Sequence, residues 1–343
     1  MSTTTDAHPW LGSAHTMSDL DLQWPHGSQD PIGQAAEFLV WAPLITQSGG
    51  GLHVFLPLLD RGLDAVVHRL SDGVYLALQV KGKTSTHASE APIAVYENHL
   101  FTPDQLVIGV HLDGDHLGPF ALVADTATFK KKAARMVDRG RVMLVADMPL
   151  RPIPGHSWSE DLVPFDKLAE RLGVTRLEPL LTLGVEPVSD EDRLIGFWGE
   201  QEVVRRLAFL EDCGLFRPFP DNETNEILIR RLRAGATIGI QVKTVQLPEP
   251  DSRRTIVVTR SNFVPSPTTF LVALAWMLPE RRFHETCLVI PSGVIPELAS
   301  VDGPNYQLHF RPAGSNRGSR LDRYRVPLES LTETFSRQLD GLS

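Results

Sequence analysis

Cysteine is scarce in this chain. Its 343 residues include only Cys213 and Cys287, which excludes a disulfide framework and a four-thiolate zinc site. Long apolar runs are also missing. None approaches the ~18 residues that a membrane-spanning helix needs, so no membrane association is expected. The first thirty residues contain no Lys or Arg and no apolar stretch, so no secretory signal is expected either. Basic charge is in deficit, with 33 Lys and Arg against 42 Asp and Glu, for a net charge of −9. No Gly-x-Ser-x-Gly elbow occurs, and Gly49-Gly50-Gly51 lacks the Lys-Ser/Thr ending of a phosphate-cradling loop. What remains is a cytoplasmic globular protein: 42% of residues are hydrophobic and 22% charged, which excludes disorder throughout.

The acidic balance is uneven. Residues 1–160 carry −6 and the remainder −3. Affinity for nucleic acid comes from neutralising phosphates and releasing counterions, so contact with DNA here requires local basic patches. Candidates are Lys130, Lys131, Lys132, Arg135, Arg139 and Arg141 in the front half. In the back half they are Arg230, Arg231, Arg233, Arg317, Arg320, Arg323 and Arg325. The competing reading makes them solvated helix faces and loops.

A chain of this length predicts two domains. Residues 1–27, rich in Ser, Thr, Asp and His, read as a flexible arm, and 176–189 as a connector. Between and beyond them the chain repeats itself. An acid on an apolar-periodic segment recurs as Gly33-Gln-Ala-Ala-Glu37 and Gly199-Glu-Gln-Glu202. An apolar strand ending in Gln-Val-Lys recurs at Gln79-Val80-Lys81 and Gln241-Val242-Lys243. A second apolar strand follows at Leu106–Leu112 and at Phe270–Trp276, then a closing helix that opens with Val163-Pro164 and with Val326-Pro327. Four landmarks in one order, at nearly equal spacing, predict tandem domains over 28–175 and 190–343.

Strand side chains alternate between faces. Val74, Leu76, Leu78 and Val80 are therefore expected to enter a core, as are Ile238, Ile240 and Val242 in the second copy. Gln79 and Lys81 share the opposite face, as do Gln241 and Lys243, each pair beyond a small residue (Ala77, Gly239) that leaves room. Seventeen residues before each lysine stands an acid, Asp64 and Glu226. These parts suit phosphodiester hydrolysis. A hard cation such as Mg²⁺ wants oxygen ligands, which Asp64, Gln79 and Glu37 can offer, and a lysine beside it steadies developing negative charge.

These residues resemble the PD-(D/E)XK, restriction-endonuclease-like superfamily. Asp60-Arg-Gly-Leu-Asp64 followed by Leu78-Gln79-Val80-Lys81 is similar to its Mrr-like and Holliday-junction-resolvase-like branches. The resemblance implies an α/β fold of two tandem domains, each a central mixed β-sheet flanked by helices. It also implies Mg²⁺ (or Mn²⁺) as cofactor and DNA as partner. Carried over residue by residue, Asp64 and Gln79 match metal-binding positions, Lys81 the catalytic lysine and Glu37 the helix acid. Glu226, Gln241, Lys243 and Glu202 correspond in the second copy, with Asp221 a rival to Glu226. Two departures stand out: both copies carry Gln where most of the superfamily has a carboxylate, and the second lacks the Gly-x-Asp turn.

Other chemistry is thin. His111-Leu-Asp-Gly-Asp-His116 gathers possible ligands but reads as turn chemistry, and His284 with Cys287 makes only half a zinc site. The expectation is a Mg²⁺-dependent nuclease acting on DNA in defence or repair. The alternative is an inactive nuclease-like module that binds nucleic acid or a protein partner; a homo-oligomer is a further candidate assembly.

Overall fold

The computed structural model describes residues 31–342 except 60, 85, 87, 88, 114, 115, 175–189, 220–224, 250, 251, 261, 262, 264 and 313–318. The expected arm (1–27) and connector (176–189), together with Asp60, Asp115, Asp221 and Arg317, lie outside the described residues.

The first half runs α1 (Pro31–Gln47), β1 (Leu52–Pro57), β2 (Ala65–Arg69), β3 (Val74–Lys83), β4 (Glu90–Tyr96), β5 (Leu106–Asp113), β6 (His116–Asp125), α2 (Thr126–Lys132), β7 (Ala134–Asp138), β8 (Arg141–Pro149), β9 (Leu162–Pro164) and α3 (Leu168–Arg171). The second runs α4 (Asp190–Leu207), β10 (Cys213–Phe219), β11 (Ile227–Arg231), β12 (Thr237–Leu247), β13 (Arg254–Thr259), β14 (Thr269–Met277), β15 (Arg282–Phe283), β16 (Thr286–Pro291), α5 (Ile295–Leu298), β17 (Ser300–Asp302), β18 (Asn305–Phe310), β19 (Arg325–Pro327) and α6 (Leu331–Asp340). Among the described residues no helix is long and apolar enough to cross a membrane.

Thirteen strands form one mixed sheet in the order β19-β16-β14-β12-β11-β10-β1-β2-β3-β5-β6-β9, with β15 alongside β14. Read outward from the β1–β10 pair, the two sides carry the same sequence of strands. Each side holds an antiparallel hairpin (β2–β3, β11–β12), a parallel neighbour (β5, β14), then two antiparallel strands. β1 and β10 run antiparallel with Leu56 opposite Arg217, so an approximate two-fold axis passes between these two residues. Each half adds a three-stranded sheet, β4-β8-β7 and β13-β18-β17.

Local sequence explains the hairpins. The β2–β3 turn closes on Gly73 (φ +72°) and the β11–β12 turn on Gly235 (φ +78°). Each glycine donates its N–H back to the last residue of the preceding strand, Arg69 or Arg231, at 2.9 Å. A positive φ there costs an L side chain energy and glycine nothing. The strands do not end at Lys81 and Lys243 as expected. They continue to Lys83 and Leu247, because the parallel ladders to β5 and β14 supply partners beyond the lysines. The expected closing helices likewise begin as three-residue strands, β9 and β19, before turning helical.

Both faces of the sheet are covered. Helix α1 packs Ala36, Val40, Trp41 and Leu44 on Leu78, Val80 and their neighbours. Helices α4 and α6 cover Ile238, Ile240 and Val242. The expected inward faces are therefore correct, except that Val74, at the strand start, is exposed. On the opposite face the two small sheets cover the outer strands. The centre there is filled by Phe55, Leu63, Val66 and Ala77 from the first half and Phe216, Leu228 and Leu232 from the second. Arg61 donates across the same seam to the Cys213 carbonyl.

A core drawn from both halves, on an uninterrupted sheet, gives one cooperative unit. Phe216 is fully buried at the centre of it. Thermal unfolding is expected as a single transition, and Phe216→Ala is expected to lower stability by about 3–5 kcal/mol without splitting that transition, as read by calorimetry and denaturant titration.

Candidate functional site

The β2–β3 hairpin register pairs Ala65 with Leu78, and the Asp64 N–H donates to the Leu78 carbonyl at 3.1 Å. Asp64 therefore sits one step beyond the paired residues, directly across from Gln79. The second half repeats the arithmetic, with Ile227 opposite Ile240 and Glu226 across from Gln241. The seventeen-residue interval from acid to lysine is thus the length of a tight hairpin plus two steps.

In the first half three groups converge on one carboxylate oxygen. Asp64 Oδ2 accepts from Gln79 Nε2 at 2.5 Å, from the Val80 N–H at 2.7 Å and from Lys81 Nζ at 3.2 Å. Gln79 is buried, and its other amide atom, Oε1, is buried without a protein partner among the described residues. An unsatisfied buried acceptor costs about 1–3 kcal/mol, so this oxygen calls for a donor or a cation beyond the described residues. The Lys81 side chain is 32% exposed, which leaves the trio open to solvent at its charged end.

Helix α1 carries Glu37 one residue past its contact with β3. A Cβ on Gly82 would collide with Ala36 Cβ, so helix and strand touch most closely at residues adjoining Glu37 and Lys81. In the second half the matching contact is Gly199 against Thr244. The counterpart of Glu37 is therefore Glu200, one residue past that contact, and not Glu202. The helix turns Glu202 away from Glu226 into a fork of ion pairs with Arg205 (2.7 Å) and Arg206 (2.8 Å). Glu200 instead pairs with Arg217 at 2.5 Å and lies near enough to Glu226 to push its proton affinity up. The sequence did carry a signal for Glu200. It follows a small residue as Glu37 does, and it precedes its lysine by 43 residues against 44 for Glu37.

The second trio is looser. Glu226 accepts from the Val242 N–H at 2.8 Å and faces Lys243 Nζ at 3.6 Å. Burial holds its carboxyl up at about 7, although Lys243 and the Val242 amide pull the other way. Gln241 is buried beside it. The space expected over Gly239 is occupied by Asn225, whose amide nitrogen would lie 2.8 Å from a Cβ at that glycine. Asn225 Oδ1 is itself buried without a partner among the described residues, and sequence reading had missed it. Its counterpart in the first half, Leu63, fills the same place with apolar atoms beside Ala77.

Among the described residues no three His, Cys, Asp or Glu side chains gather closely enough to hold a metal. This includes His111, Asp113 and His116, and His284 with Cys287. A hard cation would have to use amide oxygen as well. One carboxylate (Asp64) with one buried, unpartnered amide oxygen (Gln79) fits Mg²⁺ or Mn²⁺ in donor chemistry. The pair Glu226 and Gln241 offers the same oxygens at lower charge.

The basic patches are mostly spent on neighbours. Lys132 pairs with Asp161 (2.6 Å), Arg135 with Glu97 (2.8 Å), Arg325 with Asp322 (2.8 Å) and Arg233 with Asp212 (3.5 Å), and Arg231 pairs with Asp340. Arg141 lies over Tyr96 and Arg323 over Tyr324. Lys130 and Arg320 donate to backbone carbonyls. Arg230 is buried and donates to the Gly235 carbonyl and Thr237. Lys131 and Arg139 are exposed.

The raised Glu226 carboxyl makes stability depend on pH. Its folded pKa of about 7 lies above the ordinary 4.5. Its contribution is therefore complete below about 4.5 and is lost as pH rises through 7. In EDTA, wild type is expected to lose on the order of 2–3 kcal/mol more than Glu226→Gln across that window, measured by denaturant titration at stepped pH.

No family model matches the chain, and no curated protein matches it. Among solved structures, a bacterial homing endonuclease is similar over 43% of this chain and 96% of its own, at 16% identity and a TM-score of 0.30.

Proposed function

We propose that the chain is a metal-dependent nuclease that hydrolyses phosphodiester bonds of DNA, with Asp64, Gln79, Lys81 and Glu37 as its principal site. In this reading residues 28–175 and 190–343 are copies of one PD-(D/E)XK-like unit, and the activity serves defence or repair. The observation that carries it is the meeting of Asp64, Gln79 and Lys81 at one carboxylate oxygen, beside a buried amide oxygen with no protein partner among the described residues.

Asp64 and Gln79 Oε1 would hold the cation. The chemistry a divalent cation supplies when held there is polarisation of the phosphate and acidification of water. The remaining work falls to the chain's own groups. The Val80 N–H and the Gln79 amide both donate to the Asp64 carboxylate, so its orientation does not depend on the substrate. The Lys81 ammonium, three donors on a flexible stem, can leave Asp64 for a phosphate oxygen and offset the charge that grows there in the transition state. Glu37, on the helix that touches Gly82, adds a carboxylate at the edge of the same trio.

A second reading, a nuclease-like module that binds without cutting, draws on the second half. There burial keeps Glu226 uncharged below about pH 7 and Gln241 brings no charge, so the cation would meet little negative potential. Its signature is salt-dependent DNA binding without turnover.

Purified chain incubated with plasmid, linear and single-stranded DNA in Mg²⁺ or Mn²⁺ is expected to cut, and EDTA to stop it. Lys81→Ala and Asp64→Ala are each expected to slow cleavage by about 10²–10³-fold while circular dichroism stays unchanged. The proposal fails if wild type cuts nothing, or if Lys81→Ala cuts at the wild-type rate.

A further inference from the structure

Residues in register across a sheet point to the same side. The register therefore fixes how the two trios lie relative to each other. Ala77 pairs with Val66 and Val66 with Phe55. Phe55 pairs with Pro218, and Phe216, two residues back on the same face of β10, pairs with Leu228. Leu228 pairs with Gly239. Gln79 and Lys81 stand two and four residues beyond Ala77, and Gln241 and Lys243 stand two and four beyond Gly239. Both trios consequently project from one face of one sheet, related by the axis between Leu56 and Arg217.

Their separation follows from the strand order. From β3 to β12 there are five strand-to-strand steps, or ~24 Å at ~4.8 Å each. Because β3 and β12 run in opposite directions about the axis, the two glutamines are also offset by two residues along the strands, a further ~7 Å. The glutamines are thus ~25 Å apart, and the lysines, four residues further from each other along the strands, somewhat more. Lys81 and Lys243 reach solvent to similar degrees, 32% and 35% of their side chains.

Duplex DNA is the ligand whose symmetry matches. Its antiparallel strands are related by two-fold axes perpendicular to the helix, and two-fold proteins read it by aligning their own axis with one of those. A spacing of ~25–30 Å falls within one helical turn of ~34 Å. A single strand has no such axis and would engage one trio at a time.

We infer that one copy of the chain grips both strands of one duplex, the Asp64–Gln79–Lys81 trio taking a phosphate of one strand and the Glu226–Gln241–Lys243 trio a phosphate of the other. This rests on the nucleic-acid part of the proposal above, and it holds whether or not the second trio cuts. It gives the second trio a task that its weak charge permits, since Lys243 supplies the phosphate contact.

The test uses the full chain and a fluorescent duplex of about 15 base pairs, roughly one and a half turns, with Ca²⁺ in place of Mg²⁺. Sedimentation is expected to give one chain per duplex. Lys81→Met and Lys243→Met are each expected to weaken duplex binding several-fold and to flatten the salt dependence by about one phosphate, whereas Lys243→Arg retains both. Thermal midpoints of the variants separate a lost contact from a lost fold. Unchanged affinity and salt slope in Lys243→Met, or two chains per duplex, overturns the inference. Cleavage by wild type together with that result would sink the inference alone. One-to-one, Lys243-dependent binding without cleavage would sink the catalytic reading alone.

Discussion

Everything in this molecule hangs on four residue pairs between β1 and β10. That antiparallel contact turns two sets of strands into one sheet, brings Phe55 and Phe216 into a common core and sets a two-fold relation between halves that are far apart in sequence. Without it, each half would carry an unpaired edge beside an exposed apolar surface, a combination that invites wrong partners. The pairing also fixes the orientation of both acid–amide–lysine trios, because register passes from strand to strand without a hinge.

Much of the site was legible in the sequence for a simple reason. The interval between Asp64 and Lys81, repeated at Glu226 and Lys243, is set by hairpin geometry, and hairpin geometry leaves a fixed count of residues. The helix acid was harder to read. A helix presents a given residue according to where its backbone touches the sheet, and that contact, Ala36 on Gly82 and Gly199 on Thr244, has no mark in the sequence beyond the small size of its members. Glu202 was the wrong choice in consequence, and Glu200 the residue at the equivalent place. Small residues misled once more at Gly239. The space it leaves is taken by Asn225, a packing partner that only the fold supplies.

The two trios differ by one methylene in the acid, and the difference spreads. Asp64, on its shorter stem, keeps one oxygen within reach of an amide, a backbone N–H and an ammonium at once. Glu226 receives the backbone N–H, but its ammonium is 0.4 Å further away (3.6 against 3.2 Å). Burial without full compensation raises a carboxyl's proton affinity, as it does at Glu226. Similar parts on the same scaffold therefore give one carboxylate gripped by three donors and another whose proton affinity burial raises. The basic side chains tell a related story. Among the described residues of the suggested patches, five are held in ion pairs and five more in ring contacts or hydrogen bonds, while Lys131 and Arg139 stand exposed.

The large sheet also has ends. Its outermost strands, β9 and β19, are three residues long, and each finishes on a proline, Pro164 and Pro327. Proline offers no N–H to a newcomer, and three residues make too short a ladder to template another strand. Growth of the large sheet by addition of a foreign chain or a second molecule is therefore disfavoured at both of these margins.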